Sequence, residues 1–333
     1  MSVTAKEIAE YLNLSTASVS VALNNKPGVS TQTRKRVLEV ARELGYDFSC
    51  ISKQGKMTGS ICYVRYIHLR SPQEAPFFGI LSEGLRKAAS VRNLRYKSMV
   101  IYGDEDFEKN LEALRFSDCS GILLLGTDIT KDRLERFLTL NIPLVLMDTW
   151  FNAPSVDCVK PNNIQGAYLA TEYLIKTRKC QPGYLQSSLK LYNYEERFRG
   201  YCMALETYRM SVANSDIRII LPNMTGAAAD MRKILQTESH FAHCYVADTD
   251  AQAVGAMTAF QEKGYRVPKD VAFVGFDNSI YSANSTPGLT TIDACPSGMA
   301  ESALNRLLEI IECGKSYHLK IELDTMLIRR GSA

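Results

Sequence analysis

Nowhere in its 333 residues does the chain approach the ~18 consecutive apolar residues that a membrane-crossing helix needs. Its opening stretch, MSVTAKEIAEYLNL, is charged and helically periodic, with no basic segment running into an apolar core, so no secretory signal is read there. With neither feature, the expectation is a cytoplasmic protein that stays off the membrane. Histidine is scarce, at four, and tryptophan occurs once. The nine cysteines, Cys50, Cys62, Cys119, Cys158, Cys180, Cys202, Cys244, Cys295 and Cys313, form no Cys-x-x-Cys or Cys/His cluster. That spacing argues against a zinc site and, in a reducing compartment, against a disulfide framework. No P-loop glycine pattern occurs, and no Ser-His-Asp or Cys-His arrangement stands out. Neither catalytic residues, nor a metal, nor a cofactor is expected, and the chain does not read as an enzyme.

What is present is ordinary globular material. Hydrophobic residues are 46% and charged residues 23%, which excludes a disordered chain. At about 150 residues per domain the length gives roughly two domains, with room for a small third. The net charge of +3 is unevenly placed. Residues 1–60 hold eight bases (Lys6, Lys26, Arg34, Lys35, Arg36, Arg42, Lys53, Lys56) against five acids (Glu7, Glu10, Glu39, Glu43, Asp47). The rest of the chain is balanced at 31 of each sign, from 39 − 8 and 36 − 5. All the positive excess lies in the first sixth, where it favours a polyanionic partner.

Three short helical patterns fill that segment. Thr4-Ala-Lys-Glu7 has the form of a capping box, followed by Ile8 and Leu12 on one face. Asn13-Leu14 breaks the run, and Ser15 can cap a second helix from Thr16 to about Asn24 that buries Val19 and Leu23. After the turn Asn24–Gly28, Ser30 caps a third helix with Val37, Ala41 and Leu44 inward, ended by Gly45. Two helices joined by a three-residue turn make a helix-turn-helix, whose second member fits the major groove.

The residues at these positions are Thr4-x-x-Glu7-Ile8-Ala9-x-x-Leu12-x-Leu14-Ser15-x-x-Ser18-Val19-Ser20-x-x-Leu23-Asn24, then Gly28-Val29-Ser30-x-x-Thr33-Arg34-x-x-Val37 and Glu43-Leu44-Gly45-Tyr46. This pattern closely resembles the headpiece of the LacI/GalR family of bacterial repressors. The resemblance implies that Thr16, Ala17 and Val21 read bases, and that Thr4, Ser15, Ser18, Ser20, Asn24 and Thr33 touch phosphate. Hydroxyls and a carboxamide at a helix N-terminus are suitable phosphate donors. Val21 offers only methyl contact, which suits a thymine C5-methyl. In relatives a hinge helix follows, with a Leu that wedges into the minor groove. Here Gly55 stands at that position, which disfavours a helix by about 1 kcal/mol; the two readings are Ile51 or Met57 as substitute wedges, or a hinge that stays disordered and binds DNA without a strong kink.

From Ser60 short apolar runs alternate with amphipathic segments. Strands are expected at Ile61–Val64, Gly121–Leu125, Pro143–Asp148, Gly183–Gln186, Ile217–Leu221, Cys244–Ala247 and Val271–Phe276. Helices are expected near 79–91, 131–140, 165–177, 195–208, 251–263 and 297–312. Such alternation argues for parallel sheets with helices on both faces. The resemblance implies a two-lobed, periplasmic-binding-protein-like α/β domain behind the all-α headpiece. The division is then 1–46 headpiece, 47–59 hinge and 60–333 effector-binding and dimerisation domain. Within the last, the N-lobe takes about 60–160 and 293–322 and the C-lobe about 161–292 and 323–333, with crossovers near Val159–Asn162, Ile292–Cys295 and Glu322–Asp324.

Open α/β sheets bind ligands at the carboxyl ends of their strands. Those ends carry Asp148, Asp248-Thr249-Asp250 and Asp277. The segment Glu196-Arg197-Phe-Arg-Gly200-Tyr201 is similar to the family's Arg-x-x-Gly-aromatic motif, which implies that Arg197 meets effector oxygens through its planar fork. Val-Gly-Phe-Asp277 resembles the signature whose Asp accepts from sugar hydroxyls or ring N–H groups. In Asp248-Thr249-Asp250-Ala-Gln-Ala-Val-Gly255, Thr249 stands where Asn is usual, which removes an amide. Pro76-Phe77-Phe78 matches a turn whose aromatic stacks on ligand, and the preceding loop, 65–74, is longer than usual. The expected effector set is therefore Phe78, Asp148, Arg197, Thr249, Asp250 and Asp277. Asp148 and Asp250 read equally well as structural caps, and Phe77 as core. Leu327-Ile-Arg-Arg330-Gly-Ser332 resembles the family's closing strand, with no leucine heptad after it, so a homodimer is expected.

The function so implied is a repressor on double-stranded operator DNA, governed by a sugar-like small molecule in the interlobe cleft. Alternatives are a cytoplasmic solute-binding or metabolite-sensing protein, or a regulator whose effector is a phosphorylated metabolite or a protein co-regulator.

Overall fold

In the computed structural model of the chain, residues 3–24, 28–46, 59–68, 76–314 and 317–333 are described. The expected hinge, with Gly55, Ile51 and Met57, lies outside them except for Gly59, as does most of the long loop over 65–74.

The headpiece is built from α1 (Ala5–Leu12), α2 (Thr16–Leu23) and α3 (Thr31–Glu43). Thr4 and Glu7 form a reciprocal capping box, the Glu7 carboxylate accepting from the Thr4 N–H at 2.6 Å. Asn13 ends α1 in the left-handed region (φ 51°), and Ser15 caps α2 by accepting from Ser18 N at 3.0 Å. Gly45 takes φ 73° behind α3. The three helices close over Ile8, Leu12, Val19, Leu23, Val37, Val40 and Ala41, all buried. At about 1.5–3 kcal/mol for each fully buried large side chain, this small core accounts for the headpiece holding its shape.

The remaining elements alternate. In order they are β1 (Ser60–Ile67), α4 (Pro76–Val91), β2 (Tyr96–Tyr102), α5 (Phe107–Arg115), β3 (Cys119–Leu125), α6 (Lys131–Leu138), β4 (Leu144–Met147) and β5 (Asp157–Pro161). Then come α7 (Asn163–Arg178), β6 (Gly183–Ser187), α8 (Tyr192–Thr207), β7 (Ile217–Ile220), α9 (Met224–Thr237), β8 (Cys244–Ala247), α10 (Asp250–Glu262) and β9 (Ala272–Phe276). The chain closes with α11 (Ile280–Asn284), β10 (Thr290–Asp293), α12 (Pro296–Cys313), β11 (Lys320–Leu323) and β12 (Met326–Ile328). Two six-stranded sheets result, in the orders β2-β1-β3-β4-β5-β11 and β7-β6-β8-β9-β10-β12. The β1-β2, β1-β3, β3-β4 and β4-β5 pairs are parallel, as are β6-β7, β6-β8, β8-β9 and β9-β10. The β10-β12 pair is antiparallel. Continuous burial along β4, β8 and β9, and along β3 from Gly121 onward, is what sheets covered on both faces require.

Two compact units hold these sheets. The first takes residues 1–70, 84–159 and 300–320, and the second takes 71–83, 160–299 and 321–333. Of the described residues, 76–83 group with the second unit. The first has Ile122, Leu124, Leu134, Phe137, Leu146 and Phe107 at its centre, and the second has Tyr245, Phe260, Phe273, Met231 and Leu185. The segments read as crossovers at Val159–Asn162 and Ile292–Cys295 begin inside strands β5 and β10, which are paired into the sheets. β2, α5, α9 and α11 were not expected. β2 is an edge strand with a single fully buried residue, Ile101, so it lacks the apolar run that marks its buried neighbours.

Candidate functional site

The recognition surface is set by which side of α2 the headpiece core consumes. Val19, Ala22 and Leu23 are buried, which leaves Ser15, Thr16, Ala17 and Ser20 exposed. Ser15 and Ser18 share a hydroxyl–hydroxyl bond of 2.8 Å at the helix start. Asn24 folds back, its Nδ2 donating to the Ser20 carbonyl at 2.8 Å. Val21 is half-buried, and a Cβ added at Gly28 (φ 128°) would stand 3.6 Å from its Cγ1. Thr4 sits in the capping box of α1, and Thr33 bonds Ser30 in the first turn of α3, hydroxyl to hydroxyl at 2.8 Å. Three capped helix N-termini therefore each carry a hydroxyl from the expected phosphate set. Such termini favour anions through the helix dipole and the remaining N–H groups.

The second constellation lies in the second unit, where β8 and β9 end. Arg197, in the second turn of α8, is 5% exposed. Its Nε donates to Asn163 Oδ1 at 3.0 Å, its Nη1 donates to the Asp248 carbonyl, and its Nη2 pairs with Asp277 Oδ1 at 3.3 Å. The guanidinium lies 3.7 Å from the centre of the Phe276 ring, a stacked cation–π seat. Asp277 is in the left-handed half of backbone space (φ 112°) at the end of β9, and its side chain is 13% exposed. The Arg–Asp pair is thus held in a fixed orientation, with Arg197 buried and Asp277 the more exposed of the two.

Behind Arg197 runs a buried polar chain that the sequence reading did not anticipate. Glu196 accepts from Asn163 Nδ2 at 3.0 Å and from Lys160 Nζ at 2.5 and 2.7 Å. Lys160, itself 3% exposed, also pairs with Glu322 at 2.9 Å. Asn163 therefore bonds Glu196 with its amide and Arg197 with its carbonyl, fixing its own orientation. A lysine inside the buried strand Asp157–Pro161 is the signal for this network, because a buried charge is tolerated only when paired.

The neighbouring acids are committed to the scaffold. Asp248 accepts from the Tyr184 hydroxyl and from Ser187 N at 2.6 Å, and burial pushes its carboxyl up to about 6. Asp250 accepts from Ser279 N at 2.6 Å and from the Thr291 hydroxyl, and burial also raises it to about 6 against those bonds. Thr249 caps α10, its Oγ1 accepting from Gln252 N at 3.2 Å. Asp148, in the first unit, takes φ 71° beyond β4, accepts from the Thr127 hydroxyl at 2.5 Å and is 3% exposed. Phe78 is half-buried in the first turn of α4, edge-on to the buried Phe77 at 5.7 Å. Of the six expected effector residues, the structure joins Arg197 and Asp277 directly. Gly200 explains the glycine of the motif, since a Cβ there would lie 2.2 Å from the Ile164 carbonyl oxygen, where α8 meets α7.

Among the described residues no group of three or more His, Cys, Asp or Glu could hold a metal ion, and no helix is long and apolar enough to cross a membrane.

Two family profiles match the chain: bacterial regulatory proteins of the lacI family over residues 4–48, and a periplasmic binding protein-like domain over 172–333. The HTH-type transcriptional repressor PurR of Actinobacillus pleuropneumoniae serotype 3 is 28% identical over 337 residues, covering 99% of this chain and 98% of that protein. The ribose operon repressor of Haemophilus influenzae is 26% identical over 330 residues, again covering 99% and 98%. Among solved structures, the transcriptional regulator CelR in its cellobiose complex superposes with a TM-score of 0.74 at 23% identity, covering 99% of this chain and all of that one. The lac repressor dimer bound to operator and the anti-inducer ONPF gives 0.71 at 20% identity, covering 100% and 99%.

Proposed function

The chain belongs to the lacI family of bacterial regulatory proteins and is a DNA-binding transcription regulator, not an enzyme; from that premise we propose that it is a cytoplasmic homodimeric repressor released or recruited by a sugar-like effector. The observation that carries the DNA-binding half of this reading is the capped, hydroxyl-bearing α2, with its apolar side consumed by the core and Ser15, Thr16, Ala17 and Ser20 outward. A dimer of such helices suits a near-palindromic operator, one half-site to each headpiece. Thr16, Ala17 and Val21 are the proposed base readers. Thr4, Ser15, Ser18, Ser20, Asn24 and Thr33 are the proposed phosphate contacts.

The effector is proposed to bind over Arg197 and Asp277, with the half-buried Phe78 offering a ring face. A donor fork beside an acceptor carboxylate suits vicinal hydroxyls, which give and take hydrogen bonds together. A phosphate dianion would face Asp277 and find Lys160 already held by Glu196 and Glu322, so an uncharged polyol is favoured. Thr249 and Asp250 are proposed to shape the site through the bonds they make within the scaffold, and Asp148 to do the same for the strand end of its own unit. Such an effector shifts operator binding only by its differential affinity for the two conformational states, typically 1–3 kcal/mol. Cellobiose, named for the CelR complex, and ribose, named for the operon repressor, are the first candidates. The test is fluorescence anisotropy of the protein on DNA from upstream of its own gene, with and without each sugar. Binding that competitor DNA of random sequence removes equally well would refute sequence-specific recognition.

A further inference from the structure

The eight described cysteines carry no disulfide, yet two of them lie against each other in the second unit. Cys180 Sγ and Cys244 Sγ are 3.7 Å apart. Cys180 is half-buried in the loop just after α7, and Cys244 is the fully buried first residue of β8. They are far apart in sequence, and no motif joins them. We propose that Cys180 and Cys244 form a redox-active thiol pair that hydroperoxides convert into a reversible intramolecular disulfide.

The assignment of roles follows from the surroundings. Burial pushes the Cys244 thiol up, so it stays protonated and out of reach of solvent, whereas Cys180 faces the loop surface. The Arg178 guanidinium at the end of α7 acts on Cys244 without offsetting its burial, and Arg178 is itself placed by donating to the Lys269 carbonyl at 3.3 Å, which leaves exposure to decide the roles. Cys180 is therefore the thiol that attacks. Its sulfur bonds to one peroxide oxygen, the O–O bond breaks, and the other oxygen leaves as water, giving a Cys180 sulfenic acid. The Cys244 sulfur then attacks the Cys180 sulfur, the S–O bond breaks, and a second water carries off the Cys244 proton. Each thiol loses one electron and the peroxide gains two. A second thiol pair, Cys62 and Cys119 on neighbouring strands, serves as an internal contrast. Those residues are 3% and 0% exposed, so an oxidant has no access to them.

The bridge would tie the far ends of two elements that serve the effector site. α7 begins at Asn163, which holds Arg197 and Glu196, and β8 leads into Asp248, whose carbonyl also holds Arg197. The thiol pair itself stands whether or not the proposed effector is correct, because its test reads no ligand.

The full-length protein is exposed to a small excess of hydrogen peroxide, its remaining thiols are alkylated, and it is digested without reduction for mass spectrometry. The expected product is the Cys180 peptide joined to the Cys244 peptide with two hydrogens lost, restored to free thiols by dithiothreitol. The oxidised protein should also melt several degrees higher, as a cross-link closing a long loop restricts the unfolded chain. Cys180→Ser, a change in a surface loop, should abolish both effects. Cys244→Ser should leave a Cys180 sulfenic acid that dimedone traps. A Cys180 sulfinic acid with Cys244 still alkylated in the wild-type protein would overturn the proposal, as would a cross-link between any other two cysteines.

Discussion

Arg197 shows how much of a site a single side chain can organise. Its fork is bound on three sides, and its plane rests on Phe276, so the guanidinium has one orientation rather than many. Replacing it with Ala is expected to weaken effector binding about ten- to a hundred-fold, from the ~1.5–3 kcal/mol of a charged hydrogen bond. Arg197→Lys should lose most of the same affinity, because an ammonium cannot reproduce the fork or the stacking. Calorimetric titration with whichever sugar shifts operator binding checks both, and operator binding by the effector-free variants should persist. Asp250 carries a different prediction, about pH. Its folded carboxyl holds a proton up to about 6, while an unfolded aspartate releases it near 4. Raising the pH through that window therefore costs the folded state, with full loss of this contribution above about 6. Asp250→Asn keeps an acceptor for Ser279 N and does not titrate. Its stability relative to wild type should rise by up to about 1.4 kcal/mol per pH unit between roughly pH 4 and 6, then level off. Urea unfolding at a series of pH values measures this, and a flat difference would show that Asp250 is not the group responsible.

At the scale of elements, what was legible follows burial. The headpiece helices declared themselves because capping residues and i, i+4 apolar pairs agree: Ser15 and Ser30 both cap as their spacing predicts, and Val19, Leu23, Val37 and Ala41 are all buried. Buried central strands such as β3, β4 and β9 were legible as apolar runs. β2 was not, because Lys97, Ser98 and Val100 face outward on an edge. α9 was not either, since Met224-Thr-Gly-Ala-Ala-Ala-Asp packs small residues that give little periodic signal: Gly255 of α10 meets it so closely that a Cβ would stand 2.4 Å from the Met224 carbonyl oxygen. In the site, strand-end positions and motifs pointed to Arg197 and Asp277. The Lys160–Glu196–Asn163 network stayed hidden because its members are remote in sequence and pair only once β5, α7 and α8 are assembled. α2 supplies this scale's prediction. Val21→Arg exchanges a methyl contact for a bidentate guanine donor, worth ~1–3 kcal/mol of discrimination at one base pair. Selection from a randomised operator pool should show a changed preference at one position in each half-site. An unchanged preference would mean that Val21 does not face base edges.

For the whole molecule, the decisive feature is where charge and chemistry are kept apart. The first sixty residues carry the entire net charge of +3, and the remaining 273 are neutral in sum. The headpiece also has its own closed core, so its recognition helix does not depend on the effector unit for its shape. Nucleic-acid affinity should accordingly belong to the headpiece, and ligand affinity to the α/β units. If each half-site contact neutralises several phosphates, the logarithm of affinity falls linearly with the logarithm of salt, with a slope of about −0.9 for each phosphate neutralised. A slope of several units between about 50 and 200 mM salt is expected for the full-length protein. Removing residues 1–58 should abolish operator binding while leaving calorimetric binding of the effector within about two-fold of wild type, since Arg197, Asp277, Phe276 and the chain of bonds behind them all lie beyond the cut. Tight, salt-sensitive operator binding by the 59–333 fragment would place the DNA-binding surface on the α/β units instead, and loss of effector binding on truncation would show that the headpiece helps to hold that site together.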